Sequence, residues 1–316
     1  MKIAILAVYF GNLPPFAQLF LASCGRNPDY DFLLIGDAWK GLMQSDVPVN
    51  CRLLPMGLGQ LKELVVCRTG FNPHFSSPYK LCDFKPAFGE IFQDELTDYD
   101  YWGFTDIDLV LGDLQAFLSG LGEFDVFSTR KEFLSGPFFL MRNEEWINHL
   151  YRNSKDVQMV LESEQHYCFD ECNFAWVELR DGRSILELDT HIESMTEVLA
   201  KAMNDGLSAH FETLSLEPRK AFDGRVEVAR GKVTKDGKEF IHYHHHWNKG
   251  QPFYTFPGWH WHSVPERFEV TKYGVYSKDA SVDYSCRFAQ VANCYQRRFK
   301  KLFSGSGQDT NASKIS

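Results

Sequence analysis

Two aspartates one residue apart, Asp106 and Asp108, lie inside the apolar run from Tyr99 to Leu114. A run of that length and character predicts a buried central strand. Strand alternation turns residues i and i+2 to one face, so both carboxylates point the same way. At close range they repel, and one stays protonated unless a cation sits between them. Oxygen ligands of this kind suit Mg2+ or Mn2+, which in turn hold a diphosphate. The plainer alternative is that one aspartate caps a helix and the other is only solvated.

Other groups could join this chemistry. Lys80, Asp83 and Lys85 precede Gly89-Glu90; they form either a solvated face or a place where a lysine neutralises a phosphate beside the metal. Asp170-Glu171 stands before an apolar segment, as an N-cap with a first-turn acid or as a pair facing a reaction centre. His242, His244 and His246 alternate on a predicted strand, so they share one face. A dedicated three-histidine zinc site is one reading; a single histidine completing the shell of the Asp106-Asp108 metal is the preferred one. Lys249 follows closely enough to reach a diphosphate. Tyr254, Phe256, Trp247, Trp259 and Trp261 crowd the same segment, as sugar-stacking rings or as ordinary core.

These residues need a scaffold. Lys2 to Phe10 reads as a strand buried on both faces, ending in the tight loop Gly11 to Pro15 rather than in a signal-peptide cleavage site. Helical spacing follows from Phe16 to Ser23, then strands at Asp31 to Gly36 and Arg52 to Pro55, and a helix over Leu58 to Val66. That order predicts an open α/β sheet whose ligands bind at the C-terminal strand ends. The Tyr9 to Asn12 loop and the region around Asp37 then sit beside Asp106 and Asp108. Helices are predicted over 79–96, 143–162 and 191–204. Strands over 225–233 and 239–246 flank a hairpin turn at Asp236-Gly237.

The chain has 316 residues, 44% of them hydrophobic and 15% aromatic, enough for a large core. A net charge of -9 argues against broad nucleic-acid binding. Eight cysteines without a Cys-x-x-Cys pair read as reduced thiols of a cytosolic protein, with Cys168 and Cys172 at helical spacing. No apolar run spans a membrane. Cys286 to Phe303 predicts a terminal helix with Arg297, Arg298, Lys300 and Lys301, basic enough for an anionic membrane surface or simply solvated. Residues 304–316 predict a disordered tail.

Together these motifs resemble the GT-A glycosyltransferases. The nearest likeness is to a bacterial group carrying Tyr-Lys-Leu-Cys-Asp-x-Lys-Pro-Ala, here Tyr79 to Ala87, then Trp-Gly-x-x-Asp-Ile-Asp, here Trp102 to Asp108. The early Tyr9-Phe10-Gly11-Asn12-Leu13-Pro14 fits as well. A more distant likeness is to retaining enzymes typified by glycogenin and the bacterial lipopolysaccharide α-galactosyltransferases. In those a basic residue before a Gly-Glu pair contacts the donor, the place of Lys85. Asp170-Glu171 looks like the counterpart of their Asp-Gln-Asp motif, with Cys172 replacing the second acid. His244 to Lys249 is similar to their late His-x-x-Gly-x-x-Lys motif, without its glycine and one residue shorter.

The resemblance implies a GT-A, Rossmann-like mixed sheet flanked by helices over 1–285, with a C-terminal hairpin and aromatic segment. Residues 1–115 form the nucleotide-binding half and 116–285 the acceptor and metal-completing half. It implies transfer of a hexose, with retention, from a UDP-sugar to a glycan or glycolipid acceptor, in surface polysaccharide or lipopolysaccharide synthesis. Asp106, Asp108 and His244 would hold Mn2+ or Mg2+. Tyr9, Phe10, Gly11, Lys80, Asp83, Lys85, Asp106 and Lys249 would face the donor, and Glu171 with Asp170 the anomeric carbon. The setting implied is the cytoplasm, peripheral to the inner membrane face through 286–303. Two rivals stay open: an Asp-x-Asp phosphohydrolase with Asp106 as nucleophile, and a non-catalytic carbohydrate-binding protein.

Overall fold

The computed structural model describes residues 1–75, 77–218, 225–251 and 254–277, with Ala292 and Tyr295. The terminal helix and tail expected over 286–316 otherwise lie outside the described residues. Among those described, no helix is long and apolar enough to cross a membrane.

The apolar runs expected as strands in the first half of the chain form them, and Phe138–Arg142 and Ala209–Phe211 join them unannounced. In chain order these are β1 (Ile3–Val8), β2 (Asp31–Ile35), β3 (Cys51–Leu54), β4 (Tyr101–Thr105), β5 (Leu109–Leu111), β6 (Val126–Ser128), β7 (Phe138–Arg142) and β8 (Ala209–Phe211). Seven of them make one sheet in the order β3-β2-β1-β4-β7-β6-β8. Pairing is parallel from β3 to β4 and antiparallel on both sides of β7, so the sheet is mixed. Helices α1 (Ala17–Gly25) and α2 (Leu58–Thr69) pack in two different cores, one on each face. This is the expected α/β architecture of a mixed sheet flanked by helices.

The second half of the chain is more divided than its pattern predicts. The strand expected over 225–233 breaks at Arg230 and Gly231, where φ is +51° and +78°. It becomes β10 (Val226–Ala229) and β11 (Lys232–Lys235), preceded by β9 (Ser215–Leu216). The turn at Asp236-Gly237 forms as expected, with φ of +52° and +77°, and leads into β12 (Lys238–Phe240). The chain then changes sheet at Ile241. β12 closes a five-stranded antiparallel sheet with β11, β10, β14 (Arg267–Thr271) and β15 (Gly274–Ser277). β13 (His242–His244) instead lies between β5 and β9.

Two expected helices and one helical spacing also differ. Residues 79–96 form a 3-10 segment, Pro78–Ala87, and two four-residue helices. Pro86 has no N–H for an α-helical ladder there. Residues 143–162 split into Glu145–Asn148, Leu150–Asn153 and Val157–Glu162. Ser154 leaves helical geometry, and its hydroxyl donates to the Glu193 carbonyl. Cys168 and Cys172 sit in a tight turn, Cys168 at φ +53°, rather than on a helix. All six described cysteines are free thiols, four of them buried.

β4 is paired along both edges, and at Gly103 it approaches β7 closely. A Cβ on Gly103 would run into the Leu140 side chain and the Phe139 carbonyl. Gly103→Ala should therefore destabilise the fold by on the order of 3 kcal/mol, because neither backbone can retreat without breaking the ladder. Urea unfolding measures this; a loss below about 0.5 kcal/mol would mean the strands are not so tightly seated.

Candidate active site

The aspartate pair does not lie within one strand. β4 ends at Thr105 and β5 begins at Leu109. Between them the chain leaves the large sheet and joins the small one, where β5 pairs with β13. Asp106, Ile107 and Asp108 are that crossover. Ile107 is 3% exposed and anchors the turn in the core. The Asp106 amide donates to the Pro137 carbonyl, and the Asp108 carbonyl accepts from the His245 amide, each at 3.0 Å. The two carboxylates thus flank a buried plug instead of following strand alternation.

Pairing of β13 with β5 carries His244 opposite Leu109. Its Nε2 lies 3.1 Å from Asp108 Oδ2, and Lys249 Nζ lies 2.7 Å from the same oxygen. Ligand atoms of Asp106, Asp108 and His244 all fall within 4.8 Å of one another. Burial pushes the Asp108 carboxyl up, but His244 and Lys249 outweigh it and hold the group well below the usual carboxylate range. Burial lowers His244 and Lys249 in turn, and Asp108 more than restores both. An ionised buried carboxylate, a second carboxylate and an imidazole are a donor set that fits Mg2+ or Mn2+.

Lys85 joins this cluster to a second one. Its Nζ lies 3.3 Å from Asp106 Oδ1 and 3.4 Å from Asp170 Oδ2, and it donates to the Gly136 carbonyl at 2.9 Å. Glu171 is held on both oxygens. The Gly136 amide donates to Oε1 at 3.0 Å and the Trp176 indole N–H to Oε2 at 2.7 Å. Gly136 has to be glycine: a Cβ would stand 2.6 Å from Asp170 Oδ2 and 2.9 Å from Glu171 Oε1. Burial, opposed by Lys85 and reinforced by Glu171, pushes Asp170 up to about 7. Burial also raises Glu171, against the Trp176 hydrogen bond. Asp170 is no N-cap, because the following helix starts only at Trp176.

One cavity of about 970 Å³ is lined by Tyr9, Phe10, Lys85, Asp106, Asp108, Asp170, Glu171, His244, His246 and Lys249. The tight turn at Gly11, φ +100°, is fixed by its amide donating to Asp37 at 2.7 Å, but Gly11 does not itself line the cavity. Of the three histidines, β13 ends at His244, so the expected three-histidine face does not form. His242 is fully buried beside Phe138 and Thr129, and burial drives its pKa down to about 3. His246 stacks on His244 with centroids 5.3 Å apart.

Lys80 and Asp83 lie behind the cavity wall. They pair at 2.8 Å with 1% and 0% of their side chains exposed. Lys80 also donates to the Val160 and Gln165 carbonyls, and Asp83 accepts from the Tyr167 and Phe169 amides. Burial opposes the Asp83 charge, but His166 and Lys80 outweigh it. The pair therefore braces the loop that presents Asp170 and Glu171. Gly136 and Trp176 escape sequence reasoning, since Gly136 meets Glu171 from 35 residues away and Trp176 reaches it only through the fold of the loop; the break at Gly136-Pro137 in an apolar run is the one available signal. Arg130 likewise binds Glu217 beside the cavity, a pairing nothing in the sequence announces.

The chain belongs to the Family of unknown function (DUF6625), which matches residues 5–252. No curated protein matches it. Among solved structures, apo mouse xyloside xylosyltransferase 1 is similar over 79% of this chain and 99% of its own, at 10% identity and TM-score 0.41. The galactosyltransferase LgtC, solved with donor and acceptor sugar analogues, is similar over 69% of this chain and 76% of its own, at 12% identity and TM-score 0.33. The glycosyltransferase GlyE of Streptococcus pneumoniae TIGR4 is similar over 68% of this chain, which spans only 46% of GlyE, at 12% identity and TM-score 0.35. None reaches a TM-score of 0.5, so the chemistry has to be argued from the site itself.

The raised Asp170 has a measurable consequence. An acid whose folded pKa exceeds its ordinary value, here about 7 against 3.8, binds its proton more tightly when folded. Its stabilising contribution is complete below the unfolded value and is lost as pH rises through the folded one. Asp170→Asn keeps the shape without the titration. It should gain on the wild type by about 1.4 kcal/mol per pH unit between roughly pH 4 and 7, or about 4 kcal/mol in all. Urea unfolding of both proteins across that range in metal-free buffer checks this; a gap independent of pH would refute it.

Proposed function

We propose that the chain is a metal-dependent glycosyltransferase of GT-A type that moves a hexose from a UDP-sugar to a hydroxyl of a glycan or glycolipid acceptor. The observation that carries the reading is a single cavity that gathers a divalent-metal donor set, two lysines and a buried carboxylate pair. Asp106, Asp108 and His244 would hold Mn2+ or Mg2+, which when bound offsets charge on a leaving diphosphate. Lys85 and Lys249 add fixed positive charge at the same place. Tyr9 and Phe10 line the same cavity and suit the nucleotide base.

Glu171 is directed by two hydrogen bonds, one on each oxygen. A carboxylate fixed in that way suits stabilising an oxocarbenium-like carbon or attacking it, which favours retention. Asp170, with its pKa near 7, would be the general base on the acceptor if the reaction inverts. A UDP-sugar donor places the reaction in the cytoplasm. The basic residues of 286–303 suit contact with the inner membrane face, where acceptors of surface polysaccharide or lipopolysaccharide are assembled.

Calorimetric titration of UDP, with and without Mn2+, tests the donor site. Wild type should bind UDP only with Mn2+, and Asp108→Asn, folded by circular dichroism, should weaken that binding by more than about tenfold. UDP binding indifferent to both the metal and the substitution, or no binding at all, would overturn the reading. Phosphatase activity abolished by Asp106→Asn, without nucleotide binding, would put the phosphohydrolase in its place.

A further inference from the structure

A chain of aromatic rings runs along the cavity wall and out of it. Tyr79, His166 and Trp176 line the cavity. Tyr79 meets His166 at 4.7 Å between centroids, His166 meets Phe174 at 5.7 Å, and Phe174 meets Trp176 at 5.5 Å, each pair edge to face at 70° to 88°. Two of the rings are open to solvent, Tyr79 at 65% exposed and Phe174 at 46%, while the His166 side chain between them is 15% exposed. The Trp176 indole donates to Glu171. One turn along the same short helix Arg180 also faces the cavity, and no carboxylate among the described residues pairs with its guanidinium within 4.0 Å.

Phe174 is held where it is at a cost. It sits at φ +66°, next to Asn173 at φ +50°. A bulky side chain rarely takes that conformation, and strain of this kind persists only where surrounding bonds over-determine it. Here they do. Asn173 donates to the Tyr167 carbonyl and accepts from the His191 amide, while Thr196 donates to the Glu171 carbonyl. Folding gains little from a strained phenylalanine whose ring is half in water.

We propose that Tyr79, His166, Phe174 and Trp176 form the acceptor subsite, an aromatic rim on whose exposed Tyr79 and Phe174 rings the sugars of a saccharide chain rest while its terminal hydroxyl reaches Glu171. The inference rests on the glycosyltransferase reading and names the acceptor's class and its contacts. Flat rings with polar tips bind sugar faces while leaving hydroxyls wet. An acyl chain needs a closed apolar trough, whereas this row is interrupted by the imidazole of His166 and flanked by the Arg180 guanidinium. The group is tied to Glu171 through Trp176 and opens to solvent at Tyr79 and Phe174, so a long chain can enter by its end.

The test uses the full-length protein with UDP and Mn2+, and maltohexaose, cellohexaose and xylohexaose as probes in calorimetry. Wild type should bind at least one of them, and Tyr79→Ala and Phe174→Ala should each weaken that binding by about tenfold. Phe174→Gly should lose binding equally while keeping or raising Tm, since glycine relieves the strained φ. UDP affinity should not change in any of these variants. Mn2+-dependent UDP binding with no hexasaccharide bound, or variants that bind as wild type does, would overturn the rim and leave the donor reading standing. Hexasaccharide binding lost in the variants, without UDP binding, would keep the rim and remove the donor reading. Binding to phosphatidylglycerol vesicles lost in Phe174→Ala, without any saccharide effect, would identify a lipid occupant and overturn it.

Discussion

The buried charge of Asp108 constrains everything around it. A carboxylate that is 4% exposed cannot stay ionised in a protein interior without cations at contact distance. Lys249 is the cation, and the His244 imidazole shares the same carboxylate oxygen; both come from the far end of the described chain. They arrive because β13 leaves the antiparallel sheet and adds to β5. The same change of sheet at Asp106 to Asp108 brings the carboxylates out of the central β4 to the place where β13 can meet them. The small three-stranded sheet β5-β13-β9 therefore contributes less as a structural layer than as the device that joins the two halves of the charge cluster.

The second carboxylate pair depends on a different support. Asp170 and Glu171 sit on a loop with left-handed residues at Cys168, Asn173 and Phe174. Such a loop would open if its backbone were held only by neighbours in sequence. The Lys80–Asp83 ion pair behind it supplies distant anchors, four of them to backbone groups between Val160 and Phe169. A fully buried pair of this kind adds little net stability but is costly to half-remove. Its value is the fixed position it gives the loop. The 3-10 segment Pro78–Ala87 carries both this internal brace and Lys85, so one short element sets the loop and the cation between the two clusters.

Much of this was legible in the sequence, and the failures share a cause. Apolar continuity marked β1, β2 and β4, and Asp236-Gly237 marked its turn, because those signals are local. The Asp106-Asp108 pair, His244, Lys85 and Lys249 stood out by chemistry and converge as expected. The break between β4 and β5 was hidden because apolar residues flank it on both sides, and hydropathy cannot say which sheet a strand joins. Lys80 and Asp83 looked like ligand contacts because a buried ion pair has the same residue types as a solvated one. His242 and His244 alternate identically with the strand, yet one faces Phe138 in the core and the other Asp108. Gly136 is marked only as a break in an apolar run and Trp176 not at all, since what they hold, Glu171, is distant from Gly136 in sequence and joined to Trp176 only by the loop's fold.

The two carboxylate clusters are tuned in opposite directions by one cause with different compensation. Burial pushes both Asp108 and Asp170 toward the protonated form. Asp108 has the His244 imidazole and the Lys249 ammonium on one oxygen, and they win. Asp170 has only Lys85, at 3.4 Å and shared with Asp106, and an acidic neighbour in Glu171. Lys85, divided between two carboxylates, offsets the burial of Asp170 only in part, and that group exchanges its proton near neutrality. Groups whose pKa values are driven apart within one cavity are suited to different tasks, one to holding a cation and the other to handling a proton. What separates the two is the placing of two ammonium groups: Lys249 lies on Asp108, while Lys85 is shared between Asp106 and Asp170.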